Sequence, residues 1–294
     1  SSCQGASDGI ENSNYFLEAG QSQWILTLFE DLKPDELPFF IDLMQWLFAQ
    51  CLPVAHPLQD NDGQTLHRLS GKPALLFPRL PGKHVTVVSE VECAAIGRCL
   101  GKLHYQSRHY PGYRDNARGT PWMEQAQQRL AGLLSDGDAV LLAEQIANAR
   151  YLRQLDLPRG IIHGDLFRDN ALFTQKTDSS NTLSGIIDFY NACSDFLLLD
   201  LAIAVNDWCS STADNGLNPS LTRSLVNAYI AERPLETDEA QHWQAILQLA
   251  ASRFWVSRLL AEKLPQRVGV LHAHKPSEEY RQRLLYHKHH ITQL

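Results

Sequence analysis

The side chains best suited to chemistry lie in and after the segment 161–170, which reads IIHGDLFRDN. Asp165 stands five residues before Asn170, and Asp188 ends a second apolar run further along the chain. One carboxylate can orient a hydroxyl group and accept its proton, while an amide oxygen and a second carboxylate can hold Mg²⁺. Phosphoryl transfer uses this combination in this order. We therefore predict Asp165, Asn170 and Asp188 as catalytic residues, the last two being the metal ligands.

A β-hairpin is predicted to hold these side chains together. Apolar strands at 170–173 and 183–187 flank a polar turn at 177–182, and this pattern is typical of a hairpin. The predicted catalytic loop precedes the hairpin, and Asp188 follows it. His163 is expected to brace that loop rather than to react. The competing interpretation, that these polar residues only form turns, explains one such match but not three in the required order.

The rest of the chain divides into a β-rich part and a helical part. Strands and a helix are predicted in the first part at 14–18, 23–29, 72–77 and 35–50. The boundary is placed after residue 78, because prolines and a glycine close the last strand there. The predicted helices of the second part lie at 89–108, 122–134, 138–155, 197–211, 219–231, 237–264 and 276–290. We expect 1–78 to bind a nucleotide and 79–294 to hold the catalytic and substrate sites.

The composition limits the classes of function. A chain of 294 residues can bury a sizeable core, and 44% hydrophobic with 20% charged residues is ordinary for a globular protein. The net charge of −7 argues against a general nucleic-acid or membrane-surface binder. The most apolar run, 196–205, is interrupted by Asp200 and is too short to span a bilayer. The six cysteines include no C-x-x-C pair and predict free thiols in a reducing cytoplasm.

Histidines are concentrated near the C-terminus. The group comprises His272, His274, His287, His289 and His290. Their spacing matches no zinc-binding pattern, so we expect an exposed, solvated run of side chains rather than a metal site.

Motifs spread over nearly the whole chain resemble homoserine kinases of the aminoglycoside-phosphotransferase-like family. They read ENSNYF at 11–16, LTLFE at 26–30, GKPAL at 71–75, HGDLFRDN at 163–170 and RFWVSRL at 253–259. The resemblance implies an α+β, bilobal protein-kinase-like fold with a small β-rich N-lobe and a large, mainly helical C-lobe. It also implies ATP and Mg²⁺ as cofactors and the side-chain hydroxyl of L-homoserine as the acceptor, a step toward threonine. Because a fold does not fix the substrate, an aminoglycoside, choline or another amino alcohol stays open.

The predicted nucleotide site begins with residues 5–14, which are rich in small and polar side chains. They precede the first predicted strands, where kinase-like folds cover the ATP phosphates. Backbone amides of such residues can approach an anion, although any stretch of this composition also forms an ordinary loop. We expect the nucleotide to contact Gly9, Asn12, Ser13, Asn14, Thr27, Phe77, Arg79 and Leu80.

Thr27 occupies the strand position at which kinases usually carry a phosphate-binding Lys. A hydroxyl group cannot replace the charge of an ammonium group. Either Lys72 or Arg79 supplies the cation, or Mg²⁺ and backbone amides carry more of the phosphate charge. This departure also keeps open a module that binds a nucleotide or an amino acid without catalysis.

An amino-acid acceptor would bring both an ammonium and a carboxylate group. Its recognition needs an acid for the first and ideally an Arg fork for the second. We predict that Asp207 binds the ammonium group, and that Arg253 and Arg258 bind the carboxylate. The competing interpretation is that these charges are ordinary loop braces or ion pairs on packed helices.

Overall fold

The computed structural model describes residues 2–5, 12–175, 181–211, 216–264 and 275–292. Its N-terminal part contains an antiparallel sheet of five strands in the order β1-β2-β3-β5-β4. The strands are β1 Ser2–Gly5, β2 Asn12–Ala19, β3 Ser22–Phe29, β4 His67–Leu69 and β5 Lys72–Pro78. The three strands predicted between residues 14 and 77 are confirmed, with ends within two residues of β2, β3 and β5.

The β2–β3 hairpin sets the register of the sheet. Gly20 has a φ of +62° and allows the tight turn between the two strands. In the resulting register Asn14 lies opposite Thr27, and Thr27 lies opposite Leu75 of β5. The predicted helix follows as α1, Leu37–Ala49, and buries apolar side chains at helical spacing.

The C-terminal part is mainly helical. Its helices are α2 Glu90–Ser107, α3 Thr120–Arg129, α4 Asp136–Arg153, α5 Leu197–Trp208, α6 Pro219–Glu232, α7 Thr237–Lys263 and α8 Ser277–His289. The predicted α+β class, with an antiparallel sheet first and helices after it, is therefore confirmed. The division at residue 78 stays a prediction and coincides with the end of β5.

Two small sheets lie among these helices. Strand β7, Ala171–Gln175, pairs with β8, Asn181–Ile186, which confirms the predicted hairpin. Asn181 and Thr182 were expected in its turn but belong to β8, and the rest of the predicted turn lies outside the described residues. The second sheet pairs β6, Arg159–Ile162, with β9, Cys193–Phe196. The sequence analysis did not predict β9, because its residues run without a break into the apolar helix α5.

Helix α5 lies at the centre of the C-terminal part. All its residues except Asp207 are buried, including the polar Asp200 and Asn206. Helices α2 and α6 pack closely against each other, since a Cβ atom on Gly97 of α2 would lie only 2.1 Å from the carbonyl oxygen of Leu225 in α6. In the part of the chain that the structure describes, no helix combines the length and the apolar character needed to cross a membrane.

The prediction that the C-terminal histidines are exposed is wrong for His287. It lies in α8 and only 1% of it is exposed. Its Nε2 lies 2.7 Å from Asn206 Oδ1, and the Asn206 amide nitrogen donates to the Leu247 carbonyl. Nε2 of His287 is therefore the donor to Asn206 Oδ1. Burial, followed by the nearby charge of Arg283, lowers the pKa of His287 to about 3. His289 and His290 are exposed as expected, and the remaining two histidines of the run lie outside the described residues.

We expect His287 to make the fold acid-sensitive. Its pKa is lower in the folded state than in the unfolded state, so its contribution is complete above pH 6.5 and is lost as the pH falls toward 3. Between pH 7 and pH 5 this loss amounts to about 2 kcal/mol of unfolding free energy. Urea unfolding at both pH values measures it. The His287→Gln variant should lose that part of the pH dependence, whereas His289→Gln should keep it; equal pH dependence in all three proteins would contradict the assignment.

Candidate active site

The loop that carries Asp165 leaves β6 through a glycine. Gly164 has a φ of +76°, and a Cβ atom there would lie 2.7 Å from the Asn191 carbonyl oxygen. The buried ring of His163 donates from Nε2 to the Ile187 carbonyl at 3.0 Å and accepts from the Asp165 amide at Nδ1. Burial lowers the pKa of His163, so the ring is neutral. His163 thus connects the Asp165 loop to the residue before Asp188.

Asn170 closes the same loop. It ends a short 3-10 turn, Arg168–Asn170, and donates from Nδ2 to the Asp165 carbonyl oxygen at 2.8 Å. Its own carbonyl oxygen accepts the Ile187 amide at 3.0 Å. The structure therefore brings together the three residues predicted as catalytic, because Asn170 contacts both the Asp165 loop and the segment that leads into Asp188.

Asp188 has an unusual backbone conformation. Its φ of 63° and ψ of 60° place it in the left-handed region, which costs about 1–3 kcal/mol for a non-glycine residue and recurs at functional sites. The buried Phe189 follows it and fixes the turn Phe189–Asn191. Asp188 thereby lies at the end of the hairpin, one residue after Ile187, whose amide donates to the Asn170 carbonyl oxygen.

Asn170 and Asp188 fit a hard divalent cation. Both offer oxygen atoms, and the Nδ2 contact of Asn170 leaves its Oδ1 as the ligand atom. Among the described residues there is no group of three or more His, Cys, Asp or Glu side chains placed to hold a metal ion. Mg²⁺ needs fewer protein ligands than such a group provides, because it keeps water and phosphate oxygens in its shell.

A buried polar cluster formed by side chains of α2, α5 and α6 holds the backbone of the Asp165 loop in place. Asp200 accepts the amides of His163 and Gly164 at 2.7 and 2.8 Å and pairs with His104 Nε2 at 3.1 Å. His104 Nδ1 lies 2.7 Å from the Tyr229 hydroxyl. Burial alone would raise the pKa of Asp200, but the hydrogen bonds from His104 and the loop amides hold it below its usual value. Burial lowers the pKa of His104, so a neutral ring supports a charged carboxylate.

Sequence analysis left the role of Asp200 open and did not find His104. One feature of the sequence could have indicated His104: it follows Leu103 on the buried face of α2. A polar residue in that position requires a buried partner. The sequence does not indicate that the partner lies 96 residues away.

The predicted nucleotide residues lie in two places. Thr27 is buried in β3 and donates to Asn14 Oδ1 of β2 at 2.7 Å. Ser13 donates to Glu30 Oε1 at 2.7 Å. Asn12 and Ser13 were expected in a loop but belong to β2, because their backbones pair with β3. Gly9 lies outside the described residues.

The second group of nucleotide residues follows the end of β5. Phe77 is buried, and Leu80 packs on the β7–β8 hairpin so closely that a Cβ atom on Gly185 would lie 2.3 Å from Leu80 Cδ1. Arg79 donates to Gln23 Oε1 at 3.2 Å and lies over the Phe16 ring. Lys72 pairs with Glu30 at 2.5 Å. The structure thus places both candidate cations in contacts with neighbouring strands of the sheet.

The predicted acceptor residues have different surroundings. Asp207 Oδ2 accepts the Arg168 amide at 2.8 Å, its side chain is 21% exposed, and burial raises its pKa. Arg253 is buried and donates to the Gly164 carbonyl, and its Nη2 lies 3.4 Å from Asn191 Oδ1. Arg258 donates to the Pro276 carbonyl at 2.9 Å and pairs with Glu279 at 2.7 Å. Arg253 therefore contacts the catalytic loop directly, Asp207 contacts its far end, and Arg258 joins α7 to α8.

Comparison with known proteins identifies related sequences. The profile of a phosphotransferase enzyme family matches residues 2–235. A homoserine kinase of Pseudomonas aeruginosa is 43% identical over 277 residues, which cover 94% of this chain and 85% of that protein. A homoserine kinase of Cupriavidus necator is 40% identical over 282 residues, covering 93% of this chain and 85% of that protein.

Solved structures share the fold at lower identity. An amicoumacin kinase in complex with AMP-PNP, Ca²⁺ and Ami has a TM-score of 0.71 at 18% identity, covering 97% of this chain and 86% of that one. A microcompartment-associated aminopropanol kinase has a TM-score of 0.72 at 18% identity, covering 98% of this chain and 89% of that one. These likenesses support the protein-kinase-like architecture of the chain.

Proposed function

The chain belongs to the phosphotransferase enzyme family, and from that premise we propose that it transfers the γ-phosphoryl group of ATP to the side-chain hydroxyl of L-homoserine. The product is O-phospho-L-homoserine. The observation that carries the choice of acceptor is the similarity to homoserine kinases over nearly the whole chain. The contacts that hold Asp165, Asn170 and Asp188 together support the reaction type.

Asp165 is assigned to the acceptor hydroxyl. It orients this group toward the phosphorus atom and accepts its proton as the new P–O bond forms. Asp200 and His163 keep the backbone of its loop fixed, so the carboxylate does not have to reorganise during transfer. The bond from phosphorus to the β-phosphate oxygen breaks, and ADP leaves.

Asn170 and Asp188 are assigned as ligands of Mg²⁺. When bound, the ion would supply positive charge that balances the negative charge of the phosphates. Asn170 contributes an oriented amide oxygen and Asp188 a carboxylate at the end of the hairpin. The negative charge of Asp188 and the neutral amide of Asn170 leave the ion a net positive charge for the phosphates.

The nucleotide is assigned to the cleft beside β2, β3 and the end of β5. Leu80 and the buried Phe77 offer apolar surface for the base, and Asn14 and Thr27 lie on the adjoining strands. Gly9, Asn12, Ser13 and Arg79 complete the proposed set. Because Thr27 carries no charge, Mg²⁺ and backbone amides must balance most of the phosphate charge.

The two ends of the acceptor are assigned to separate groups. Asp207 would receive the ammonium group, since burial raises its pKa even though Arg168 Nε lies 3.6 Å from its Oδ2, and a second cation would further favour the charged form. Arg253 would receive the carboxylate, since it already contacts the loop of Asp165. Arg258 could join it only after release from Glu279. We place the enzyme in the cytoplasm, where its buried free thiols would stay reduced.

A panel of acceptors tests this function. We expect Mg·ATP-dependent ADP release with L-homoserine at a kcat/KM at least about 100-fold above that with choline, kanamycin or L-serine, because a buried site rejects an acceptor that leaves its polar groups unpaired. Faster turnover with another alcohol would identify that alcohol as the acceptor in place of L-homoserine, and ATP binding without any turnover would favour a non-catalytic module.

The variant Asp207→Asn should raise the KM for L-homoserine and leave the KM for ATP unchanged.

A further inference from the structure

Asp188, the proposed metal ligand, is followed by two aromatic side chains that pack against different parts of the molecule. The buried Phe189 packs against the ring of the histidine in the catalytic loop, at 4.5 Å between ring centroids. Tyr190 instead packs against Phe29 and Phe40, which belong to the N-terminal part of the chain. The turn after Asp188 is therefore held from two sides.

The ring of Tyr190 makes two edge-to-face contacts. Its centroid lies 4.8 Å from that of Phe29, the last residue of β3, with the ring planes at 85°. It lies 5.7 Å from the centroid of Phe40 in α1, with the planes at 84°. Phe29 and Phe40 are buried in a close-packed core, so neither ring can move aside. Two such pairs at once define one position for the Tyr190 ring.

The chain just before Asp188 is attached to the same part of the molecule. Ile186, at the end of β8, donates from its amide to the Pro53 carbonyl oxygen at 2.7 Å. The Ala55 amide donates to the Ile186 carbonyl oxygen at 3.0 Å. Pro53 and Ala55 lie a few residues after the end of α1. Helix α1 and the segment after it thus contact the chain two residues before and two residues after Asp188.

The backbone of Asp188 needs such support. Its φ of 63° and ψ of 60° are unfavourable for a residue with a side chain, and such conformations persist only where the surroundings enforce them. The segment that follows, Phe189–Asn191, is a single 3-10 turn. Packing supplies most of the stability of short helical segments. The aromatic contacts of this turn therefore help to hold the conformation of Asp188.

Helix α1 lacks the ion pair by which kinases connect the corresponding helix to the active site. In protein kinases a Lys on a strand of the N-terminal sheet pairs with a Glu of the helix, and catalysis requires this pair. Strand β3, Ser22–Phe29, contains no Lys, and its Thr27 donates to Asn14 Oδ1. The one acidic residue of α1, Asp42, is exposed. Helix α1 therefore contacts the segment of the metal ligand through aromatic rings where kinases use an ion pair.

We propose that Tyr190 is a positioning residue, which packs between β3 and α1 and thereby holds Asp188 in the conformation that binds the metal ion. This inference rests on the proposed function, because it takes Asp188 as the Mg²⁺ ligand. Tyr190 acts through Asp188 and not on the acceptor. Loss of its ring should therefore change metal binding before it changes acceptor binding.

The variant Tyr190→Leu tests this role, because it removes the ring but keeps an apolar side chain. Without the ring contacts only a fraction of the molecules should keep the left-handed conformation of Asp188. Since the apparent affinity falls by that fraction, we expect the Mg²⁺ concentration at half-maximal rate to rise at least about 10-fold. Saturating Mg²⁺ favours the competent conformation, so kcat should then return to within about threefold of the wild type. The KM for L-homoserine should also stay within about threefold.

Metal binding without turnover provides a second measurement. Mn²⁺ prefers the same oxygen ligands as Mg²⁺ and can be followed by electron paramagnetic resonance in the presence of ADP. For Tyr190→Leu we expect its dissociation constant to rise by the same factor of at least about 10. Tyr190→Phe keeps the ring and should restore wild-type values in both measurements.

Tyr110→Leu is the matched control for lost packing. Tyr110 is half-buried like Tyr190, and its ring contacts Phe39 and Trp46 of the same helix α1. We expect Tyr110→Leu to lower the unfolding free energy in urea about as much as Tyr190→Leu, but to leave the Mg²⁺ and Mn²⁺ dependence unchanged. If Tyr190→Leu does not fold, Tyr190→Met replaces it. The flexible Met side chain fills the space without a rigid ring, so we expect a rise of about 3- to 10-fold.

Three results overturn the inference. The first is an unchanged metal dependence in a folded Tyr190→Leu or Tyr190→Met variant. The second is the same change in Tyr110→Leu, which would make it a general effect of lost packing. The third is an equal loss in Tyr190→Phe, which would assign the effect to the hydroxyl group and not to the ring. A wild-type enzyme that does not phosphorylate L-homoserine would refute the proposed function, but Mn²⁺ binding would still test the role of Tyr190, so the two failures are distinguishable.

Discussion

The variant Asp165→Asn is expected to lower kcat at least about 100-fold while the protein stays folded, because the acceptor hydroxyl loses the group that orients it and accepts its proton. The exchange keeps the size of the side chain. It also leaves intact the backbone contacts of Asp165 with His163 and Asn170, so the loop should keep its shape. Single-turnover measurement of ADP formation at saturating Mg·ATP and L-homoserine gives the rate of the chemical step directly.

The matched control for this variant is Asp169→Asn. Asp169 lies in the same short segment, is exposed, and pairs with Lys275 at 2.7 Å. We expect its kcat to stay within about threefold of the wild type, since exposed ion pairs contribute little. A kcat near the wild-type value for Asp165→Asn would remove Asp165 from the reaction.

The variant Asp188→Asn is expected to lower kcat by a similar factor for a different reason. It keeps the left-handed backbone, which Asn tolerates well, but removes the negative charge from the metal ligand. We therefore expect a kcat at least about 100-fold lower at physiological Mg²⁺ and a higher Mg²⁺ concentration at half-maximal rate. Titration of the rate with Mg²⁺ at constant Mg·ATP measures both effects.

The Mg²⁺ dependence separates the roles of the two acids. Asp165→Asn should show the same half-maximal Mg²⁺ concentration as the wild type, because the altered carboxylate does not bind the ion. Asp188→Asn should require more Mg²⁺. If Asp188→Asn reached the wild-type kcat at the wild-type Mg²⁺ concentration, Asp188 would not be a metal ligand.

The features that the sequence could predict are those formed within short, continuous segments of the chain. Asp165 and Asn170 lie in one loop, and the β7–β8 hairpin returns the chain to Asp188. The proximity of these three residues therefore follows from a single hairpin. Such a hairpin is recognisable in the sequence as two apolar strands with a polar turn between them. The strands of the N-terminal sheet and the helices were predictable for the same reason, since each depends on periodicity within a short segment.

Contacts between distant segments could not be predicted in this way. Asp200 and His104 are 96 residues apart, and Arg118 and Ser257 are 139 residues apart. A single sequence contains no signal for such pairs, because side-chain type and spacing define only a helix face and not its partner. His287 was expected to be exposed for this reason, since its acceptor Asn206 lies on another helix.

Helix geometry explains the difference between Arg253 and Arg258. Residues five apart in an α-helix point about 140° away from each other, at about 100° per residue. The two side chains therefore face different neighbours: Arg253 reaches the catalytic loop, and Arg258 reaches Glu279 of α8. Their shared motif suggested one joint role, which the spacing alone does not favour.

The most direct test of the central assignment is identification of the product by ³¹P NMR after reaction of Mg·ATP with L-homoserine labelled with ¹³C at the hydroxyl-bearing carbon. The account predicts a phosphomonoester signal coupled to that carbon, formed in equal amount with ADP and absent without L-homoserine. ADP and inorganic phosphate without a coupled ester, or no ADP at all, would contradict the assignment of this enzyme as a kinase of the L-homoserine hydroxyl.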